Sequence, residues 1–136
     1  MSLRVLLVED SIADAAFAER ALEVSDGKFD VTITGSLDAG IDRLGDGFDA
    51  ILLDLTLPDS AGSDTVVRMR AAARNLPIVV LTSAEGDGIA DLCLRAGADA
   101  YRKKGHIGPT ELSEVLNRAI ELGHPPKDSA RLARCF

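Results

Sequence analysis

The residues of this sequence that are most able to do chemistry follow short apolar segments. Three carry carboxylates, and the others carry hydroxyl or ammonium groups. Carboxylates held within a few ångströms repel one another, so one of them takes up a proton unless a cation lies between them. A hard divalent cation that prefers oxygen ligands, such as Mg²⁺, resolves this repulsion. The residues concerned are Glu9, Asp10, Asp54, Thr82, Ser83, Lys103 and Lys104.

With a cation in place, these side chains have the composition needed to transfer a phosphoryl group to an aspartate. A carboxylate such as that of Asp54 can attack phosphorus as a nucleophile. The cation and a lysine neutralise charge on the transferring group, while a hydroxyl binds one of its oxygens. The sequence therefore predicts a phosphoacceptor site, provided that the fold brings these groups together.

Apolar runs precede the candidate residues and predict the strands that position them. Short runs rich in Val, Ile and Leu, bounded by polar residues, are typical of strands buried on both faces of a parallel sheet. Such runs lie at Val5–Val8, Ile51–Leu53 and Ile78–Leu81, with a more polar strand at Phe29–Thr34 and a short edge strand at Ala100–Lys103.

Between the runs, apolar residues recur with helical spacing and predict five helices. Pro109 suits the first turn of the last helix. The apolar stripes are Phe17, Ala18, Ala21 and Leu22; Leu37, Gly40, Ile41 and Leu44; Val66, Met69 and Ala73; Ile89, Leu92, Cys93 and Ala96; and Leu112, Val115, Leu116, Ala119 and Ile120.

Five alternations of strand and helix predict an α/β fold with a doubly wound (βα)5 architecture. Strands joined by crossover helices pair in parallel, with helices on both faces of the sheet. In such a sheet, the loops at the carboxyl ends of the strands build the functional crevice, which is where the candidate residues lie. We expect one domain over residues 1–123 and a tail over residues 124–136, which would be flexible or part of a linker.

Composition excludes several classes of function. The net charge of −7 argues against nonspecific nucleic-acid binding and tolerates a divalent cation. Cys93 and Cys135 have the spacing of neither a disulfide framework nor a metal site. The sequence has no apolar run long enough for a bilayer and no signal-peptide pattern at its start. These features predict a cytoplasmic protein that binds neither membranes nor nucleic acid directly.

Each candidate residue, taken alone, also has an ordinary structural explanation. Asp10 or Ser11 could cap the helix that follows. Thr82, Tyr101 and Lys104 would fit strand-end, packing and surface positions. Independent explanations for the whole set are less probable together than one shared site. Four further residues are interpreted as structural only, namely Pro58 and Asp59 in a turn and His106 and His124 in loops.

Four segments at the predicted strand ends resemble the receiver domain of two-component response regulators, a chemotaxis-regulator-like family. They are Val5–Asp10, Asp54–Gly62, Val80–Ala84 and Ala96–Lys104, within a similarity that runs through residues 3–122. The resemblance implies a flavodoxin-like strand order of 2-1-3-4-5 and a part in bacterial-type phosphorelay signalling. It also implies a protein that is not an enzyme, apart from Mg²⁺-dependent self-phosphorylation and dephosphorylation.

The resemblance implies a role for each of seven positions around one phosphoryl group and one Mg²⁺ ion. The implied roles are phosphoacceptor for Asp54; metal ligand for Asp10, Asp54 and the backbone carbonyl of Thr56, with Glu9 helping through water; switch hydroxyl for Thr82; switch aromatic for Tyr101; and phosphoryl-oxygen partner for Lys104 rather than Lys103.

One position departs from the family pattern. The family usually has a proline after this lysine, often with a cis bond, whereas Gly105 follows Lys104 here. A cis bond before a residue other than proline costs about 2.5–4 kcal/mol, so we expect a trans bond. A changed backbone at this point could move the Lys104 ammonium, and Lys103 is the alternative partner for the phosphoryl group.

The resemblance also implies partners. A histidine kinase or a histidine phosphotransfer protein would deliver the phosphoryl group, and the surface of the fourth helix, fifth strand and fifth helix would then engage an unknown downstream protein or a second copy. Two alternatives are an aspartate-dependent phosphatase and an unphosphorylated interaction module of the same fold. Against the first, Thr56 stands where a second aspartate is expected; against the second, Glu9, Asp10, Asp54 and Thr82 are all present.

Overall fold

The computed structural model describes residues 2–24 and 28–123, so the predicted tail lies outside the described residues. The strands are β1 (Leu3–Val8), β2 (Phe29–Thr34), β3 (Ala50–Leu53), β4 (Thr56–Leu57), β5 (Ser60–Ala61), β6 (Ile78–Thr82) and β7 (Ala100–Lys103). The five predicted parallel strands form one sheet in the order β2-β1-β3-β6-β7. The short antiparallel hairpin β4–β5 takes two numbers between β3 and β6, so the predicted order 2-1-3-4-5 is confirmed.

Two of the helices begin at residues that favour a helix start. Ser36 accepts a hydrogen bond from the Ala39 N–H at 3.1 Å and so caps the second helix. Pro109 opens the last helix, where its missing N–H costs nothing. Among the described residues, no helix is long and apolar enough to cross a membrane. The helices are α1 (Ile12–Val24), α2 (Leu37–Arg43), α3 (Ser63–Ala72), α4 (Ile89–Ala96) and α5 (Pro109–Leu122), with a 3₁₀ turn at Leu44–Asp46.

Both faces of the sheet are covered, which holds the strand ends in place. Successive side chains of a strand point to opposite faces. Val5 and Leu7 of β1 therefore pack with α1 and α5, whereas Leu6 and Val8 pack with α2, α3 and α4. The central strands β1, β3 and β6 are buried on both sides, as their continuous apolar runs predict.

Two residues of the predicted helical stripes are not in the core. Phe17 in α1 and Leu92 in α4 are each 51% exposed, although both belong to apolar stripes with helical spacing. Small residues cover the sheet instead, since Ala18 and Ala21 are almost fully buried in α1. Phe17 precedes Ala18 by one residue, which turns it about 100° around the helix and toward solvent.

Helix α2 approaches the sheet unusually closely at Gly40. A Cβ atom at this position would lie 2.8 Å from Cγ2 of Val8 and 3.2 Å from Oγ1 of Thr34. The backbone of α2 therefore rests directly on β1 and β2, and only glycine fits. This contact fixes the helix whose first residues, as described below, bind the hairpin next to the candidate site.

Candidate functional site

Three carboxylates meet at the carboxyl edge of the sheet. Glu9 extends β1 and donates its N–H to the Thr34 carbonyl at 2.9 Å; Asp54 extends β3 and donates to the Val8 carbonyl at 3.0 Å. Glu9 and Asp54 are each 5% exposed, while Asp10 is open to solvent. One carboxylate oxygen from each of the three lies within 4.8 Å of the others. This set of oxygen donors fits a hard divalent cation.

Asp54 is held in one orientation by its neighbours. Its Oδ1 accepts hydrogen bonds from the Leu55 N–H at 2.7 Å and from the Thr82 hydroxyl at 2.8 Å. Its Oδ2 lies 3.2 Å from Nζ of Lys104. A buried carboxylate with a hydroxyl on one oxygen and an ammonium on the other has the surroundings of a nucleophile aimed at an anionic group.

Lys104 contacts two of the three carboxylates, those of Glu9 and Asp54, and also Asp14. Its Nζ lies 2.5 Å from Glu9, 2.9 Å from Asp14 and 3.2 Å from Asp54. The partner carboxylates raise the pKa of Lys104 despite its burial, so the side chain stays charged at neutral pH. The ammonium group therefore balances the negative charge that a divalent cation would otherwise have to neutralise.

The replacement of the usual proline by Gly105 does not prevent this contact. The Lys104–Gly105 bond is trans, as expected, and Gly105 has a φ of +80°, which glycine adopts without strain. Lys103 points elsewhere and pairs with Glu85 at 2.9 Å on the surface. Of the two candidate lysines, the structure brings only Lys104 to Asp54.

Thr82 connects Asp54 to the loop after β6. Its side chain is fully buried, and its hydroxyl also accepts the Ala84 N–H at 3.1 Å. The Tyr101 hydroxyl donates to the Ala84 carbonyl at 3.4 Å. The tyrosine ring therefore lies behind this loop and not among the three carboxylates. Ser83, the neighbour of Thr82, is exposed. Movement of the Thr82 hydroxyl would thus break its hydrogen bond with the Ala84 N–H and alter the position of the Tyr101 partner carbonyl.

Thr56 lies beside the site at the start of the hairpin. Its side chain is exposed, and its N–H points to Oδ1 of Asp54 at 3.4 Å. The resemblance implies that the backbone carbonyl of Thr56 is a metal ligand. The direction of this carbonyl depends on the pairing of Thr56 with Ala61 in the hairpin.

One contact near the site was not foreseen from the sequence. Asp14 binds Lys104 from the first turn of α1; its position four residues after Asp10, one helical turn, was the available signal. Of the two residues that could cap α1, Ser11 does so by accepting the Asp14 N–H at 3.2 Å. His106 is exposed in the loop before α5, and His124 lies outside the described residues.

Asp59 does more than form a turn, contrary to the interpretation from sequence. Its two carboxylate oxygens accept the Leu37 and Asp38 N–H groups, each at 2.9 Å. These donors hold the pKa of Asp59 below its ordinary value, so it is ionised at neutral pH. No local pattern could indicate this contact, because the partners lie more than 20 residues away along the chain.

Glu9 is the group whose charge is most sensitive to pH. Burial raises the pKa of Glu9 to about 7, and the neighbouring Asp54 adds to the rise while Lys104 opposes it. In the unfolded chain the same group titrates near 4.5. Its contribution to the stability of the metal-free protein is therefore complete below pH 4.5 and is lost as pH rises through 7.

We expect Mg²⁺ affinity to rise with pH because a cation binds only the ionised form of Glu9. With half-titration near pH 7, binding should be roughly tenfold weaker at pH 6 than at pH 8. Isothermal titration calorimetry at pH 6, 7 and 8 measures this difference. Glu9→Gln is the control, and it should flatten the profile. An affinity that does not change over this range in the wild-type protein would contradict the prediction.

Comparison with known proteins gives the geometry a context. The sequence matches the family model described as "Response regulator receiver domain" over residues 5–117. The chain is 39% identical over 118 residues to the cell cycle transcriptional regulator CtrA of Caulobacter vibrioides, covering 85% of this chain and 48% of CtrA. It is 33% identical over 117 residues to the swarming motility regulation protein RssB of Serratia marcescens, covering 85% of this chain and 51% of RssB. The chain thus spans about half the length of these curated relatives.

Solved structures show the same architecture. The receiver domain of the sensor histidine kinase PA1611 from Pseudomonas aeruginosa PAO1, which has a magnesium ion coordinated in its active-site cleft, is 29% identical with a TM-score of 0.76, covering 89% of this chain and 99% of that one. A CheY-like receiver domain protein from Methanospirillum hungatei JF-1 is similar in fold, with a TM-score of 0.78 at 24% identity, covering 89% of this chain and 95% of that one. Because the family model matches most of this chain, the chain belongs to the response regulator receiver domain family.

Proposed function

We propose that Asp54 accepts a phosphoryl group from the phosphohistidine of a histidine kinase or a histidine phosphotransfer protein. One observation carries this assignment above the others. The buried Asp54 carboxylate contacts both a hydroxyl, that of Thr82 at 2.8 Å, and an ammonium, that of Lys104 at 3.2 Å, beside two further carboxylates. Phosphoryl transfer needs a nucleophile, donors for the phosphoryl oxygens and a cation site in one place.

The proposed cation site uses residues that follow two strands, β1 and β3. Asp10, Asp54 and the Thr56 carbonyl would hold Mg²⁺, with Glu9 helping through water. Mg²⁺ keeps part of its water and binds one or two carboxylates together with a phosphate, which suits this half-open group. When bound, the ion would supply charge neutralisation for the incoming phosphoryl oxygens.

The transfer step conserves charge and atoms without a base in this domain. An oxygen of Asp54 forms a bond to phosphorus while the bond from phosphorus to the donor imidazole breaks. The departing nitrogen keeps the electron pair, and an imidazole that carries a proton on its other nitrogen leaves as a neutral ring. Lys104 and Thr82 then bind oxygens of the new phosphoryl group.

An apolar cavity beside Lys104 supports the approach of a donor protein from this side. It has a volume of about 260 Å³ and is lined in part by Phe17, Gly105 and Ile107. Ile12, which starts α1 and follows Asp10 by two residues, is 87% exposed. Exposed large apolar side chains next to a reactive centre are typical of a protein-binding surface. We also propose a cytoplasmic location, where such a donor would present its phosphohistidine.

Phosphorylation would alter the face formed by α4, β7 and α5. The Thr82 hydroxyl would turn to the phosphoryl group, releasing Ala84, and Tyr101 would follow. A groove of about 730 Å³ on this face is lined by residues that include Leu94, Tyr101 and Val115. Shifting the equilibrium from almost entirely the inactive conformation to almost entirely the active one requires that phosphorylation stabilise the active conformation by about 5.5 kcal/mol more than the inactive one. A downstream protein or a second copy would bind this face.

The test uses acetyl phosphate as a small-molecule donor with Mg²⁺. We expect intact mass spectrometry to show one phosphoryl group per chain, fragment analysis to place it on Asp54, and EDTA to prevent its addition. Continuous release of phosphate from a phosphomonoester, without a stable adduct, would instead indicate a phosphatase. A chain that stays unmodified under these conditions would indicate an interaction module.

A further inference from the structure

The hairpin β4–β5 begins two residues after Asp54 and carries the Thr56 carbonyl. Thr56 is paired with Ala61, and the Gly62 N–H donates to the Leu55 carbonyl at 3.0 Å. Hydrogen-bonded and non-hydrogen-bonded pairs alternate along an antiparallel ladder, so Thr56 is in a pair of the second kind. Its N–H and carbonyl therefore face away from β5 and toward Asp54, which the N–H approaches at 3.4 Å.

The position of this hairpin depends on what anchors its turn, because two strands of two residues are not stable alone in water. Asp59, in the turn, supplies one anchor. Its Oδ1 accepts the Leu37 N–H and its Oδ2 the Asp38 N–H, each at 2.9 Å. These are the first two N–H groups of α2, which have no acceptor within the helix. One carboxylate thus joins the hairpin to α2 through two bonds.

Arg68 of α3 adds a second anchor to the same turn. Its Nη1 donates to the Asp59 carbonyl at 3.1 Å, and its Nη2 donates to Oδ1 of Asp38 at 3.1 Å. The turn is therefore held from α2 and α3 together. The ionised state of Asp59 at neutral pH suits this arrangement, because both of its oxygens then act as acceptors.

The geometry points to Asp59 as a positioning residue for the magnesium site. By fixing the hairpin turn to the start of α2, Asp59 holds the Thr56 carbonyl on the side where a cation shared by Asp10 and Asp54 would lie. This inference rests on the proposed function and extends it to a residue that touches neither the cation nor the phosphoryl group.

Asp59→Asn tests the inference with little change in shape. The asparagine NH₂ faces a backbone N–H, so one of the two bonds to α2 is lost. We expect the Mg²⁺ affinity, measured by isothermal titration calorimetry, to fall about tenfold, as is usual when a group that orients a metal ligand is lost. Phosphorylation by acetyl phosphate should need more Mg²⁺ yet reach the wild-type rate when Mg²⁺ is saturating. Asp59→Glu, which keeps both acceptors, should recover part of the affinity.

Ser36→Ala is the matched control, because it removes another cap of α2 without touching the hairpin. It should lower the unfolding temperature as Asp59→Asn does, yet leave Mg²⁺ affinity within about twofold of wild type, as expected for an independent site. Equal loss of affinity in both variants would assign the effect to helix stability and overturn the inference. Wild-type affinity in Asp59→Asn would overturn it too. Failure of the proposed function is seen separately, as absence of phosphoryl transfer in the wild-type protein.

Discussion

Asp54→Asn is expected to abolish phosphoryl incorporation from acetyl phosphate. The amide is not a nucleophile toward phosphorus, and its NH₂ group would face either the Leu55 N–H or the Lys104 ammonium, both of which need an acceptor. The variant also loses one of the three carboxylates of the cation site, so Mg²⁺ affinity should fall. Intact mass after incubation with acetyl phosphate and Mg²⁺ measures the first effect, and calorimetry measures the second.

Asp49→Asn is the control for this variant, because Asp49 precedes β3 and Asp54 follows it. The two carboxylates therefore stand at opposite ends of one strand. Asp49 accepts the Arg4 N–H at 2.8 Å and is far from the carboxyl edge of the sheet. This control should be phosphorylated like the wild type. Incorporation into Asp54→Asn at the wild-type level would place the phosphoacceptor elsewhere and refute the assignment.

Lys104→Met is expected to slow phosphorylation about a hundredfold or more, the usual loss when one positioned group that stabilises developing charge is removed. At a pH high enough to ionise Glu9, the same change should leave Mg²⁺ affinity unchanged or increased. Lys104 neutralises Glu9 and Asp54 at 2.5 and 3.2 Å, so its loss leaves a more negative site for the cation. Slow transfer combined with undiminished Mg²⁺ binding separates a role in chemistry from damage to the site.

The stability of Lys104→Met should also depend on pH. Without its cationic partner, the buried Glu9 becomes costlier to ionise, so the metal-free variant should lose stability relative to wild type as pH rises through 7. Lys103→Met is the matched control, since Lys103 pairs with the exposed Glu85. Its phosphorylation rate should stay within about twofold of wild type, because exposed ion pairs contribute little. A larger loss in the Lys103 variant than in the Lys104 variant would contradict the choice of lysine.

The sequence was sufficient to predict the sheet because its central strands are buried on both faces. Burial of this kind demands continuous apolar runs, and those of β6 and β1 are recognisable without knowledge of their neighbours. The strand order came from the resemblance to receiver domains. Parallel pairing of these strands then determines the carboxyl edge, and with it the meeting of Glu9, Asp54 and Thr82. The roles of these residues in phosphoryl transfer stay predictions until the chemistry is measured.

Helix faces and long-range anchors were harder to predict. Apolar spacing indicates a helix but not which of its apolar residues are buried, and Phe17 and Leu92 of the predicted stripes are half exposed. Asp59 looked like any turn aspartate, because its partners at the start of α2 become neighbours only in the folded chain. The donors to Asp59 are backbone N–H groups, which every residue except proline has, so no sequence pattern identifies them.

The close approach of α2 at Gly40 limits the directions in which that helix can travel. With its backbone already against Val8 and Thr34, α2 has no room to move inward. A displacement passed on from the hairpin turn would have to be a slide along the helix axis or a swing away from the sheet. Helix α2 carries none of the predicted site residues. It would nevertheless prevent the hairpin beside Asp54 from moving toward the sheet.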